Sequence, residues 1–180
     1  MSSVAQRRAA LLADNCGFAK LLAPSAYFVL RGDVAVMQAA GTVIGATPSE
    51  TACRAISGPA WSALWLGPDE QLLLGPLVDQ ARCETALSAA LESLPHSLVD
   101  VSHRQLAFEL AGPQAATLLN AACPLDLDLA AFPVSMVTRT VFAKTEIILW
   151  RKAPEVFHVD VWRSYAEYLT ALLNVASESG

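Results

Sequence analysis

The chain has 180 residues, a net charge of −5 and a pI of about 5.1. An acidic balance without a basic stripe argues against a nucleic-acid binder. Hydrophobic residues make up 54% and charged residues only 16%, with a mean hydropathy of +0.40. No run reaches the ~18 apolar residues that a membrane span needs, so the surplus apolar surface is expected to meet a partner protein.

In chain order, residues 1–24 read as an N-terminal arm with a short helix over 5–13. The start shows no long apolar segment of a secretory signal, which points to the cytoplasm. A reducing compartment suits the four cysteines, Cys16, Cys53, Cys83 and Cys123, whose spacing contains no C-x-x-C and which read as small buried packing residues. Residues 27–31 (YFVLR) form a strand, Asp33 caps a helix over 34–40, and Gly41 stops it. Arg31-Gly32-Asp33 spells an adhesion tripeptide, a reading disfavoured without a secretory signal. Strands follow over 51–57, 60–66 and 71–74, with a turn at Gly67-Pro68-Asp69-Glu70. A long helix over 77–94 ends at Pro95.

The same succession returns. A strand over 105–110 meets Gly112 and a helix over 113–122, closed by Pro124. Strands are expected over 136–143, 146–150 and 156–161, with a hairpin turn at Lys144-Thr145 and a turn containing Pro154. A last helix covers 163–177, with Tyr165, Tyr168, Leu169, Leu172 and Leu173 at helical spacing. Each half therefore reads β-α-β-β-β-α. The fold class is α+β, built from two duplicated ferredoxin-like units within one compact domain, over 25–97 and 98–180.

Sites of chemistry are sparse. The sequence holds no G-x-S-x-G, G-x-G-x-x-G, P-loop or H-E-x-x-H spelling. No catalytic, cofactor-binding or metal-binding residue is assigned. Asp100, Ser102 and His103 lie close together, but neighbours on an extended chain point to opposite faces, so they read as a polar turn between the halves. His96 is expected in solvent at a helix end, and His158 beside Asp160 on one strand face. Arg139, Lys144, Arg151, His158 and Arg163 are the candidate subunit contacts.

A family resemblance is carried by particular residues. They are Asp100-Val101-Ser102-His103-Arg104-Gln105, Gly112-Pro113, Cys123-Pro124-Leu125-Asp126-Leu127, Phe132-Pro133 and Thr138-Arg139-Thr140. They continue through Ala143-Lys144, Glu146-Ile147, Leu149-Trp150-Arg151, Phe157-His158-Val159 and Trp162-Arg163-Ser164, with Leu66-Gly67-Pro68-Asp69-Glu70 in the first half. Over about residues 25–172 the chain resembles the gamma subunit of heterotetrameric sarcosine oxidase. The resemblance implies a fold similar to the folate-binding domain of aminomethyltransferases and a non-catalytic structural role beside alpha, beta and delta subunits. That complex oxidatively demethylates sarcosine to glycine with O2, giving H2O2 and 5,10-methylenetetrahydrofolate. FAD, FMN, NAD, zinc and tetrahydrofolate are then expected on the other subunits. Two alternatives stand beside it: a gamma-type subunit of an N-methylglutamate dehydrogenase complex, and a free-standing folate-binding, aminomethyltransferase-like protein.

Overall fold

The computed structural model describes residues 19–178. The helix expected over 5–13 lies outside the described residues. The chain divides into two compact units. One comprises Pro24–Arg104 with Ser135–Thr138, and the other Gln105–Val134, the chain from Arg139 onward, and the stretch ending at Ala23.

Strand β1 (Ala19–Leu21) opens the described chain. The first unit follows with β2 (Ser25–Gly32), α1 (Val34–Ile44), β3 (Ala55–Ser57), β4 (Ser62–Gly67) and β5 (Glu70–Pro76). A 3-10 turn (Leu77–Asp79), α2 (Gln80–Leu91) and β6 (His96–Asp100) complete it. Its antiparallel sheet runs β3-β4-β5-β2-β6. The meander β3-β4-β5 returns beside β2, so the first strand of the unit becomes an inner one. Asp33 caps α1 as expected: its Oδ1 accepts from the Val36 N–H at 3.1 Å. Val36, Met37, Ala40 and Ile44 turn the buried stripe of α1 toward the core. The helix runs past Gly41 and ends at Gly45, whose φ of 68° is the left-handed conformation of a C-terminal cap.

Below the sheet, Trp61 stacks on Phe28 with ring centroids 5.9 Å apart. Gly75, the penultimate residue of β5 and paired with Ala26 of β2, faces that indole. A Cβ there would fall 2.2 Å from the Trp61 ring. A glycine inside a strand ordinarily weakens it, and here it makes room for the largest side chain of the core.

The second unit repeats the plan with β7 (Gln105–Ala111), α3 (Ala115–Asn120), β8 (Val137–Phe142), β9 (Thr145–Ala153) and β10 (Val156–Trp162). A 3-10 turn (Arg163–Tyr165) leads into α4 (Ala166–Glu178). Sheet order is β1-β7-β10-β9-β8, the first unit's order with β7 for β2 and β10 for β5. The corner after the last strand is reproduced closely. Pro76 (φ −64°, ψ 132°) and Trp162 (φ −61°, ψ 135°) each end a seven-residue strand and open a 3-10 turn into a helix.

Several boundaries differ from the sequence reading, each for a local reason. Residues 51–53 form a turn, with Ser49 Oγ accepting from the Thr51 N–H at 3.0 Å and Cys53 at φ 57°, so β3 starts only at Ala55. The hairpin turn is Ala143-Lys144, with Ala143 at φ 51°, which frees Thr145 to begin β9. Pro113 stands in the turn before α3 rather than at its first position, since the Ala115 N–H donates to the Gly112 carbonyl at 3.0 Å. Strand β6 was not anticipated: its residues are largely exposed, and it exists through pairing with β2 from Phe28↔Asp100 to Gly32↔His96. The compact units divide there between Arg104 and Gln105. Strand β1, inside the expected arm, pairs with β7 from Ala19↔Leu110 to Leu21↔Phe108.

Gly75→Ala is expected to lower unfolding stability by about 1–3 kcal/mol through overpacking against Trp61. Gly75→Ala combined with Trp61→Phe should recover part of that loss, read by urea denaturation of both variants.

Candidate functional site

Of the polar side chains that the sequence singled out, Arg151, His158 and Asp160 lie on β9 and β10 of the second sheet. Register places Lys20, Glu109, His158 and Trp150 in one row across β1, β7, β10 and β9. All four share a face because cross-strand partners project to the same side. Two residues along β10, Asp160 lies on that face and its Oδ1 is 2.9 Å from His158 Nε2. His158 is 3% exposed and Asp160 1%. The Trp150 ring lies 5.8 Å from the imidazole, and the Lys152 ammonium sits 5.4 Å from the Trp150 ring centroid. A carboxylate that binds one imidazole nitrogen fixes the ring's orientation. With both groups sealed, the pair serves as an internal clasp beside an indole.

Arg151 projects to the opposite face, opposite Phe157. Its guanidinium carbon lies 4.5 Å from the Phe157 ring centroid, and Nη2 donates to the Leu127 carbonyl at 2.7 Å. Nε and Nη1 are buried and meet no protein acceptor. Burial pushes the Arg151 pKa down from its usual value, and the charge of Asp128 opposes that shift. Arg151 thereby ties the loop between α3 and β8 to the sheet, with Leu127 and Phe132 of that loop each 2% exposed. A buried guanidinium with one strong hydrogen bond is costly to break but is not a strong net stabiliser.

A second polar cluster belongs to the first unit. Ser102 Oγ donates to Asp100 Oδ1 at 2.6 Å, and the Ser102 N–H reaches the same oxygen at 2.8 Å. The Tyr27 N–H donates to Ser102 Oγ at 2.9 Å, and Gln80 Nε2 donates to Asp100 Oδ2. Burial by itself would raise the Asp100 pKa, but the hydrogen bonds from Ser102 and Gln80 and the nearby charge of His103 outweigh it and hold the carboxyl below its ordinary value. Asp100 and Ser102 meet because the chain turns after β6 instead of staying extended. His103 is exposed.

Two of the five candidate contacts are corrected by burial. Arg151 and His158 lie inside the second unit, so neither side chain is at the surface. Arg139, Lys144 and Arg163 are exposed. Cys83 and Cys123 are buried, as expected for packing residues, whereas Cys53 is half-exposed in its left-handed turn. Burial pushes the Cys83 thiol up to about 11, so it carries no thiolate at neutral pH. Among the described residues, no three His, Cys, Asp or Glu side chains converge to hold a metal ion.

Residues 31–179 match the sarcosine oxidase, gamma subunit family. The chain belongs to that family. A sarcosine oxidase subunit gamma from Corynebacterium sp. (strain P-1) is 32% identical over 152 residues, which is 82% of this chain and 72% of that one. Among solved structures, a chain of the heterotetrameric sarcosine oxidase from Corynebacterium sp. U-96, in complex with pyrrole 2-carboxylate, superposes with a TM-score of 0.85. Their sequences are 26% identical, and the match covers 99% of this chain and 95% of that one. The glycine cleavage system aminomethyltransferase T from Bartonella henselae gives a TM-score of 0.66 at 12% identity, over 91% of this chain and 48% of that one. That second likeness is one of fold alone, and it matches the α+β expectation. In this gamma-subunit-family chain, Trp150, Arg151 and His158 are buried within the second unit.

Two outcomes are expected. Arg151→Ala should cost about 3 kcal/mol by removing the buried anchor, while Arg151→Met should cost about 1 kcal/mol, because an apolar stem of similar volume also relieves the buried charge; chemical denaturation measures both. Asp100 has a depressed pKa in the folded chain, so its stabilisation is complete above the ordinary carboxyl value of 3.8 and is lost as pH falls through the lower folded value. Asp100→Asn should therefore unfold more easily at pH 7, and its deficit should shrink as pH drops below 3.8.

Proposed function

We propose that this chain is the structural gamma subunit of a heterotetrameric sarcosine oxidase, assembled with alpha, beta and delta subunits. The assembly oxidatively demethylates sarcosine to glycine with O2 as acceptor, releasing H2O2, and tetrahydrofolate leaves as 5,10-methylenetetrahydrofolate. FAD, FMN, NAD, zinc and tetrahydrofolate are held by the other subunits. The carrying observation is the full-length superposition on the sarcosine oxidase chain, at a TM-score of 0.85 over 99% of this chain. Composition supports the same reading. A charged fraction of 16% with exposed Val78, Trp162, Tyr165 and Val175 suits a chain that buries more surface in an assembly than it does alone. Arg139, Lys144 and Arg163 supply the exposed cations for contacts at its rim. The chain itself contributes shape and contact area, and no chemical step is assigned to its residues.

Purification through a tag on this chain, from its native host grown on sarcosine, should yield yellow material with three companion chains and sarcosine-dependent peroxide release. N-methylglutamate in place of sarcosine tests the related dehydrogenase complex. Simultaneous charge reversal at Arg139, Lys144 and Arg163 should reduce the recovered companions; unchanged recovery would remove those residues from the contacts. Calorimetry of the isolated chain with tetrahydrofolate should give no saturable heat, and saturable binding would favour the aminomethyltransferase-like alternative.

A further inference from the structure

The duplication supplies an internal control for one part of the surface. Strands β5 and β10 have equal length, end at residues with nearly the same backbone angles, and feed the same 3-10 turn and helix. Position by position, Pro76 corresponds to Trp162, Asp79 to Tyr165 and Arg82 to Tyr168. In the first unit this corner holds a solvated ion pair, Arg82 Nη2 to Asp79 Oδ1 at 2.9 Å. In the second unit the same positions carry Trp162, Tyr165 and Tyr168, which are 43%, 45% and 36% exposed. Arg163, also exposed, stands between them in the turn.

The fold does not require aromatic residues there, because the first unit builds the same corner with Pro, Asp and Arg. Keeping three large rings partly in water forgoes apolar burial that such side chains ordinarily gain. Trp, Tyr and Arg are also the residues enriched at the centres of protein interfaces, where each packs into a desolvated pocket. We infer that the corner formed by Trp162, Arg163, Tyr165 and Tyr168 is the docking surface for another subunit of the oxidase. The occupant is a subunit surface with an apolar groove for the rings and a carboxylate for Arg163. This inference rests on the assembly reading given above, since membership of the gamma subunit family is what makes a companion subunit, rather than a second copy of this chain, the occupant.

The test uses the full-length tagged chain produced with its companion subunits. The double substitution Tyr165→Asp with Tyr168→Arg grafts the first unit's ion pair onto the second, a combination that the equivalent corner of the first unit holds. The variant should unfold at the same temperature as the parent, yet recover at least about tenfold less of its companions, as expected when hot-spot residues are lost. A folded variant with undiminished recovery would overturn the inference. A second measurement needs no variant: hydroxyl-radical footprinting of the parent complex should show Trp162, Tyr165 and Tyr168 protected relative to the isolated chain. Companions recovered with all three rings still reactive would overturn the docking surface and leave the assembly reading standing. Protection in a complex of this chain with itself alone would overturn the choice of occupant. A parent chain that recovers no companion would overturn the assembly reading and this inference with it.

Discussion

Each sheet depends on one inner strand that is hydrogen-bonded along both edges. Strand β2 pairs with β5 and β6, and β7 with β10 and β1. In β2, Ala26, Tyr27, Phe28 and Leu30 are all 2% exposed or less, and β7 buries Ala107, Phe108 and Leu110 similarly. Everything else in a unit is placed by reference to that strand. The helix that follows it covers the sheet, the meander returns to its flank, and the last strand delivers the corner into the final helix. The buried polar residues obey the same frame. Register against β7 sets His158 opposite Glu109, and register against β9 sets it opposite Trp150.

The repeat was legible because its main signals are local. YFVLR, EIILW and the alternation through residues 156–161 are strand patterns with turn residues at their ends, and Asp33 is a cap three residues before the N–H it binds. What escaped depends on distant partners. His96–Asp100 has no alternating apolar pattern, only the adjacent Leu98 and Val99, and pairs as a strand with the edge of β2. Ala19–Leu21 is too short to register as a strand and is defined by β7. Gly41 looked like a helix stop because glycine usually is one, whereas the left-handed residue turned out to be Gly45.

The same limit applied to the site. His158 beside Asp160 follows from strand alternation, so that bond could be read in advance. The burial of Arg151 could not: its carbonyl acceptor belongs to Leu127 and its ring to Phe157, and charge alone suggested a surface role. Arg151 stands near the end of EIILWRK, and the loop between α3 and β8 supplies the carbonyl that holds it inside. The aromatic corner carried a signal of another kind. Tyr165 and Tyr168 fit helical spacing with Leu169, Leu172 and Leu173; the exposure of both rings becomes informative once the equivalent Asp79 and Arg82 are set beside them.

The placement of β1 and β6 has a consequence for how the chain must be made. Each of these strands precedes one copy of the repeat in sequence and completes the sheet of the other. All strands of the first sheet lie in one stretch from Pro24 to Arg104, so that sheet can close while the rest of the chain is still on the ribosome. Strand β1 leaves the ribosome earlier and has no mate until β7 emerges. At ~5–20 residues per second, the roughly 80 residues between them take ~4–16 s to synthesise. Throughout that interval the edge of β1 is unpaired. Its length of three residues, with Lys20 at the centre, limits how well it can template a wrong pairing while it waits.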